Sequence, residues 1–173
     1  MKSKSEQLPP ESNQVQCEML KILHDYFIQK DRGYSFEDFA RDIIEQIDEN
    51  VIRLDVTRPF KDGGIDAEGK YQVFKLGMQS VIVDFYLQAK CYNPFTSSVG
   101  VKDTSRLISR IKNRQFGVMI TTSYVNSQAY KEIVEDGHPI VLVTGKTIID
   151  ILFDKYEIHS VDSLIKWLER EYQ

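Results

Sequence analysis

Residues 62–90 carry the most informative pattern in this chain, which reads Asp62-Gly63-Gly64-Ile65-Asp66, a connecting segment, and then Val81-Ile82-Val83-Asp84-Phe85-Tyr86-Leu87-Gln88-Ala89-Lys90. The first part is a glycine turn that delivers a carboxylate, Asp66. The second part has the composition of a strand, and because side chains alternate faces along a strand, Gln88 and Lys90 share one face. The pattern therefore predicts that an acid, an amide and an amine converge at the end of a strand.

These three groups suit chemistry on a phosphate. Hard divalent cations take oxygen ligands, which a carboxylate and an amide both supply, and a lysine can stabilise an anion beside the cation. Phosphodiester hydrolysis needs a positioned water, neutralisation of the charge that gathers on the phosphate, and help for the leaving oxygen. A metal-assisted hydrolytic site is therefore the first hypothesis for the end of this strand.

The same residues resemble a known family. Gly63-Gly64-Ile65-Asp66, a spacer and a strand that ends in Gln88-Ala89-Lys90 are similar to the PD-(D/E)xK nuclease superfamily, and in particular to its Mrr-like restriction endonuclease branch, where glutamine often replaces the second acid. The resemblance covers about residues 34–152 and includes the later segments 99–101, 116–123 and 140–145. It implies an α/β, restriction-endonuclease-like fold, in which a central mixed β-sheet is flanked by helices.

The resemblance also implies roles for the residues of the site. Asp66 would be the principal metal ligand, Glu37 a second one, and Gln88 a neutral oxygen ligand or a group that positions water, while Lys90 would hold the attacking water or the developing negative charge. The expected metal is Mg²⁺, for which Mn²⁺ can substitute. Because Gln88 stands where an acid is usual, metal affinity should be weaker unless Glu37 compensates, and the number of metal ions stays open.

Glu37 has a plainer interpretation on the residues alone. It lies off the apolar stripe of a predicted helix for which Ser35 and Asp38 match a capping box. An acid in the first turn of a helix interacts favourably with the helix dipole and needs no further role.

The function that the resemblance implies is a metal-dependent DNA endonuclease, the cleavage domain of a restriction or DNA-defence system. Its partner would be double-stranded DNA, with a homodimer or a separate DNA-recognition domain to complete it. One alternative is a structure-selective nuclease of the Holliday-junction-resolvase kind, which a strongly basic dimer surface would favour. Another is a catalytically silent nuclease-fold protein that binds DNA or another protein, which loss of the acid or the lysine would indicate.

The distribution of charge along the chain gives mixed support to DNA as the partner. The chain has 173 residues and a net charge of −4, whereas phosphate-binding domains are usually basic. One basic stripe stands out in a helix predicted over residues 101–113, where cations recur every four residues and so share a face. The stripe predicts either contact with phosphates or a solvated surface; it comprises Lys102, Arg106, Arg110 and Arg114.

The rest of the chain alternates between strands and helices. Residues 1–13 are expected to be a flexible lead-in or linker, and residues 14–173 a single nuclease domain with an additional N-terminal helix. Three antiparallel strands are expected first. The later strand, helix, strand order predicts parallel pairing. The predicted elements are helices over 14–30, 127–135 and 147–153 and from residue 160, and strands over 51–57, 65–73, 81–90, 116–121 and 139–143.

Other motifs exclude several classes of protein. Gly145-Lys146-Thr147 imitates the end of a P-loop, but Ile140 stands where the first glycine would be required. The chain has no Gly-x-Ser-x-Gly and no Cys-x-x-Cys, and its three histidines show no metal-ligand spacing. Its two cysteines, Cys17 and Cys91, suggest a reduced setting rather than a disulfide framework. With no apolar run of membrane-spanning length and no signal-peptide pattern, the protein is expected to be soluble and cytoplasmic.

Overall fold

The fold was analysed in a computed structural model, which describes residues 3–56 and 65–173. The turn residues Asp62, Gly63 and Gly64 lie outside the described residues. The helices are α1 (Lys4–Gln7), α2 (Gln14–Asp31), α3 (Phe36–Ile47), α4 (Val101–Ile108), α5 (Ser127–Glu135), α6 (Gly145–Asp154) and α7 (Val161–Glu171). The strands are β1 (Val51–Val56), β2 (Ala67–Leu76), β3 (Gln79–Lys90), β4 (Ser98–Val99), β5 (Phe116–Thr121), β6 (Tyr124–Val125) and β7 (Ile140–Val143).

A five-stranded sheet with the order β1-β2-β3-β5-β7 forms the centre of the molecule. The first three strands pair antiparallel, and β3, β5 and β7 pair parallel to one another. The parallel pairing follows from the connections, because α4 and α5 each carry the chain back across the sheet before the next strand begins. Both predictions, of an antiparallel start and a parallel continuation, are confirmed.

Helices cover both faces of the sheet. On one face α2, α3, α6 and α7 form the larger core, in which Phe27 contacts Phe36 and Phe39 with ring centroids 5.6 and 5.3 Å apart. On the other face α4 and α5 cover a smaller cluster that includes Leu107 and Met119. The sheet is therefore mixed and flanked by helices, as the sequence predicts.

The close packing of β2 on β3 depends on one glycine. A Cβ atom at Gly69 would lie 2.3 Å from the ring of Phe85, and that ring stacks on Phe116 with centroids 5.0 Å apart. Only glycine, which has no side chain, leaves room for this ring over the backbone of β2. Glycine at position 69 thus allows β3, which ends in Lys90, to pack closely against β2, which follows Asp66.

Several predicted helix ends differ from the structure. The helix expected over residues 101–113 ends at Ile108, because Ser109 Oγ donates to the Arg106 carbonyl and the chain tightens into turns up to Arg114, whose φ is +65°. The helix expected from residue 147 begins at Gly145, with Thr144 as its N-cap. The capping box predicted at Ser35 is absent: its side chain makes no capping hydrogen bond, and its backbone N–H donates to Asp31 Oδ2 at 2.9 Å.

The prediction of a flexible lead-in also differs from the structure. Residues 4–7 form α1, and Gln7 and Leu8 are buried, with 2% and 6% of their surface exposed. The Gln7 side chain donates to the Val125 carbonyl and accepts from the Val125 N–H, at 3.1 and 3.0 Å. Composition suggested flexibility, but these paired hydrogen bonds and the burial of Leu8 dock the segment on the domain.

No helix in the described part of the chain is long and apolar enough to cross a membrane. Cys17 and Cys91 are both free thiols. Burial raises the pKa of Cys91 to about 12, so this thiol stays protonated and unreactive near neutral pH.

Candidate active site

Asp66 immediately precedes β2, and hydrogen bonds to the backbone of β3 fix its position. Its N–H donates to the Leu87 carbonyl at 3.0 Å, which extends the pairing of β2 with β3 by one residue. Its Oδ2 accepts a hydrogen bond from the Ala89 N–H at 2.6 Å. Because both contacts are to main-chain groups of β3, the position of this carboxylate is determined by the register of the two strands.

Lys90 ends β3 beside this carboxylate. Its Nζ lies 3.8 Å from Asp66 Oδ2 and donates to the Ala89 carbonyl at 3.0 Å. The two side chains are 18% and 14% exposed, respectively. The amine and the acid therefore face each other in a largely desolvated place that solvent still reaches, as the sequence predicts for the end of this strand.

Glu37 joins these two residues from the first turn of α3. Its pKa is raised to about 7, chiefly by burial and also by the negative charge of Asp66, while the positive charge of Lys90 opposes the rise. The pKa of Asp66 is also raised by burial, against the lowering effects of Lys90, the Ala89 N–H and Arg106. Burial therefore disfavours the charged form of both carboxyl groups, and the charge of Asp66 adds to this effect at Glu37.

Gln88 is fully buried, with no exposed surface. It pairs with Met119 in the register of β3 with β5, on the side of the sheet that α4 covers. Asp66, Lys90 and Glu37, by contrast, each retain some exposed surface. The alternation that places Gln88 and Lys90 on one face is correct, but the two residues differ in depth.

The donor set fits a hard divalent cation. Asp66 and Glu37 supply carboxylate oxygens, and the Ala89 carbonyl lies beside them through its contact with Lys90. A cation bound by these carboxylates would favour their charged forms, which burial disfavours at both and the charge of Asp66 disfavours at Glu37. Within residues 3–56 and 65–173, no three His, Cys, Asp or Glu side chains cluster closely enough to hold a metal alone. Mg²⁺ sites in proteins are often built from one or two carboxylates, with water and phosphate oxygens as the remaining ligands.

The predicted basic stripe does not form one helical face. Lys102 and Arg106 lie on α4, whereas Arg110 and Arg114 lie in the turns that follow it. The prediction of a four-residue helical stripe is wrong because α4 ends at Ile108. Arg106 is the member whose charge acts on Asp66, where it lowers the pKa of the carboxyl group.

Three groups that interact with residues of the site were not predicted from the sequence patterns. Asp31, at the end of α2, acts on Glu37 by raising its pKa, and Asp31 Oδ1 has no hydrogen-bond partner among the described residues. The main-chain groups of Ala89 contact both Asp66 and Lys90, which no side-chain pattern can show. Tyr92 donates to Asp103 Oδ1 at 3.2 Å, and the charge of Arg106 lowers the pKa of this phenol against the larger effect of burial.

Comparison with known proteins finds similarity to restriction endonucleases. The sequence model of a family described as restriction endonuclease matches residues 28–152. The fold is similar to that of AspBHI, a DNA modification-dependent restriction endonuclease, with a TM-score of 0.85 and 37% identity over 98% of this chain. It is also similar to the MspJI restriction endonuclease in complex with a 27-mer oligonucleotide, with a TM-score of 0.79 and 28% identity over 99% of this chain.

These relatives are much longer than the chain. The alignment covers 42% of the AspBHI chain and 39% of the MspJI chain. Among curated protein sequences, none matches this one.

Proposed function

Because this chain belongs to the restriction endonuclease family, in its Mrr-type catalytic branch, we propose that it hydrolyses phosphodiester bonds of double-stranded DNA as the cleavage domain of a restriction system. The observation that carries this proposal is the Asp66–Lys90 pair, held 3.8 Å apart at the end of β3. The matched family region includes this pair and Glu37. Both MspJI, with its bound oligonucleotide, and AspBHI are restriction endonucleases by name, which supports a substrate that is DNA.

Each side chain of the site would have a distinct role in hydrolysis. Asp66, fixed by the Ala89 N–H, offers its second carboxylate oxygen to a cation or a water molecule. Lys90 holds the attacking water and stabilises the negative charge that develops on the phosphate, because its Nζ is largely desolvated and so interacts strongly with an anion. Glu37, whose charge interacts with those of Asp66 and Lys90, would supply the second carboxylate, as a ligand of the cation either directly or through water.

The residues that would hold Mg²⁺ are Asp66 and Glu37, with Gln88 as a neutral oxygen ligand or a group that positions water. When bound, the ion supplies charge neutralisation at the phosphate and lowers the pKa of a bound water, and Mn²⁺ has the same oxygen preference. We propose Mg²⁺ as the physiological ion. A restriction nuclease of this kind would act in the cytoplasm, where its substrate is found.

The retained Asp66–Lys90 pair opposes the catalytically silent alternative. Junction-specific cleavage has no support from charge, since the chain carries −4 overall. Because the chain spans about two fifths of its relatives, a separate DNA-recognition domain or a second copy would supply specificity. Arg106 would contact the phosphates next to the scissile bond, and Lys102, Arg110 and Arg114 more distant ones.

Cleavage of supercoiled plasmid tests this function. The wild-type chain should nick or linearise the plasmid with Mg²⁺ or Mn²⁺, and EDTA should stop the reaction. Asp66→Asn should lower the rate at least about 100-fold, because it removes the anionic ligand and keeps the side-chain shape. Asp84→Asn is the matched control, since Asp84 lies exposed on β3 and pairs with Lys70 at 2.9 Å.

The substrate should be prepared both with and without base methylation, because AspBHI is named as modification-dependent. Asp84→Asn should cleave as fast as wild type. Equal cleavage by wild type and Asp66→Asn, on either substrate, would refute the proposed site.

A further inference from the structure

The connection between α2 and α3, residues 32–35, which we call the α2–α3 turn, lies beside the candidate active site. At the end of α2 the Arg32 N–H donates to the Ile28 carbonyl at 3.0 Å, and the Gly33 N–H donates to the Phe27 carbonyl at 2.9 Å. These paired bonds satisfy the last carbonyl groups of the helix. Phe27 is fully buried in the larger core. The end of α2, which carries Asp31, is therefore firmly held by the fold.

Gly33 brings the α2–α3 turn against the end of β3. Its φ is +91°, a conformation that favours glycine. A Cβ atom at this position would lie 3.1 Å from the Cβ of Cys91, the residue that directly follows Lys90. Cys91 also contacts α2, because its thiol donates to the His24 carbonyl at 3.8 Å. The turn therefore packs on the residue next to the lysine of the site.

Asp31 caps the first turn of α3 in place of Ser35. The Ser35 side chain makes no capping hydrogen bond, whereas the Ser35 N–H donates to Asp31 Oδ2 at 2.9 Å. A carboxylate that accepts from a main-chain N–H at the start of a helix forms a charge-assisted hydrogen bond. The other oxygen, Oδ1, is buried and has no hydrogen-bond partner among the described residues. The bond from Ser35 thus connects the end of α2 to the start of α3.

Glu37 lies two residues beyond this bond. Its N–H donates to the Tyr34 carbonyl at 3.1 Å, so its backbone belongs to the same first turn that Asp31 caps. Burial is the main cause that raises the pKa of Glu37, and the charges of Asp66, Asp38 and Asp31 add to this rise. Asp31 is therefore near enough to Glu37 for its charge to act there, as well as being linked to it through the backbone.

We propose that Asp31 is a positioning residue of the nuclease site. By holding the first turn of α3 to the end of α2, it fixes Glu37 where this carboxylate and Asp66 can bind one divalent cation. The inference rests on the proposed function, in which Glu37 and Asp66 are the carboxylate ligands. A hydrogen bond that holds a metal ligand in place raises metal affinity, because the ligand does not have to be ordered when the cation binds.

Binding of Mn²⁺ to the full chain without DNA tests this role, with the free ion measured by electron paramagnetic resonance. Wild type should bind Mn²⁺, and Asp66→Asn should lose this binding. Asp31→Ala removes the acceptor for the Ser35 N–H and should raise the Mn²⁺ dissociation constant about tenfold. Asp31→Asn keeps an oxygen acceptor and should stay within about threefold of wild type, because the lost charge both repels Glu37 and attracts the cation.

A double-mutant cycle tests whether Asp31 acts through Glu37. Glu37→Gln alone should weaken Mn²⁺ binding. Adding Asp31→Ala to it should cause no further loss, since the anionic ligand that Asp31 positions is already absent. Ser160→Ala is the matched control: it removes a similar bond, from the Ser163 N–H to the Ser160 side chain at the start of α7, and should leave Mn²⁺ affinity unchanged. Circular dichroism of each variant should match wild type.

Equal Mn²⁺ affinity of wild type and Asp31→Ala, with binding still lost in Asp66→Asn, would overturn the positioning role and leave the proposed function intact. Additive losses in the double variant would overturn it too, because Asp31 would then act on the fold in general. So would an Asp31→Asn variant as weak as Asp31→Ala. A wild-type chain that binds no Mn²⁺ would also overturn this inference, whereas the proposed function is tested separately by plasmid cleavage.

Discussion

At the scale of single residues, Glu37 links the active site to the stability of the fold. Its pKa in the folded protein is about 7, above the ordinary value of 4.5, because burial and the charge of Asp66 disfavour the ionised form. A raised acid pKa stabilises the folded state below the unfolded pKa, and this stabilisation is lost as pH rises through the folded pKa. The metal-free protein should therefore lose stability between about pH 4.5 and pH 7.

Glu37→Gln tests this at the residue itself. The amide stays neutral, so the variant should match wild type at pH 5 and exceed it at pH 8 by about 2 kcal/mol in the free energy of unfolding. Urea denaturation in EDTA at both pH values gives the comparison. Glu18→Gln, on an exposed position of α2, is the control and should show no pH-dependent difference. A Glu37→Gln effect of equal size at both pH values would contradict the assignment.

At the scale of elements, the short α4 separates the basic residues into two groups. Arg106 lies on the helix and acts on Asp66, whereas Arg114 lies beyond it in a turn. Arg106→Gln should weaken binding of duplex DNA roughly tenfold and reduce the salt dependence by about one phosphate contact. Arg114→Gln should have a smaller effect.

Fluorescence anisotropy of a labelled duplex in EDTA, over a series of salt concentrations, measures both quantities for the two variants. If the Arg106→Gln variant had the affinity and salt dependence of wild type, α4 would not contact DNA and its basic residues would only be solvated.

The packing of β2 on β3 gives a second prediction at this scale. Gly69→Ala would place a Cβ 2.3 Å from the ring of Phe85, so the ring or the strand must move. We expect a loss of about 2–4 kcal/mol in the free energy of unfolding, in the upper range for an overpacked core. Gly100→Ala is the control, since its nearest neighbour, Asn126, would lie 3.4 Å away.

Denaturant unfolding of both glycine variants measures the difference. We expect the control to lose under about 1 kcal/mol, since alanine is a poorer N-cap than glycine. A Gly69→Ala variant as stable as the control would show that β2 and β3 adjust without cost.

At the scale of the whole molecule, the N-terminal segment completes the domain. Gln7 is buried and makes two hydrogen bonds to the backbone of Val125, a residue far along the chain. Gln7→Ala leaves both main-chain groups without these partners and should cost about 2–3 kcal/mol in the free energy of unfolding. Gln46→Ala, at an exposed position of α3, should be nearly neutral in the same urea titration. Equal stability of the two variants would instead support the prediction that residues 1–13 are a flexible lead-in.

The sequence alone determined the features that depend on neighbouring residues. Alternation along β3 places Gln88 and Lys90 on one face, and the order of strand and helix predicts the parallel pairing of β3, β5 and β7. The helix predicted from residue 160 begins at Val161, and the Ser160 side chain caps it by accepting from the Ser163 N–H. Each of these signals acts over a few residues, so it can be read from the chain directly.

Tertiary structure alone decided the features that depend on distant residues. Glu37 meets Asp66 and Lys90 because α3 packs on the sheet. The basic stripe breaks because the chain must turn after Ile108 to enter β5, although its four-residue spacing continues in sequence. Periodicity reports the face that a residue would occupy if an element continued. Only packing between elements determines where the element ends and what its residues meet.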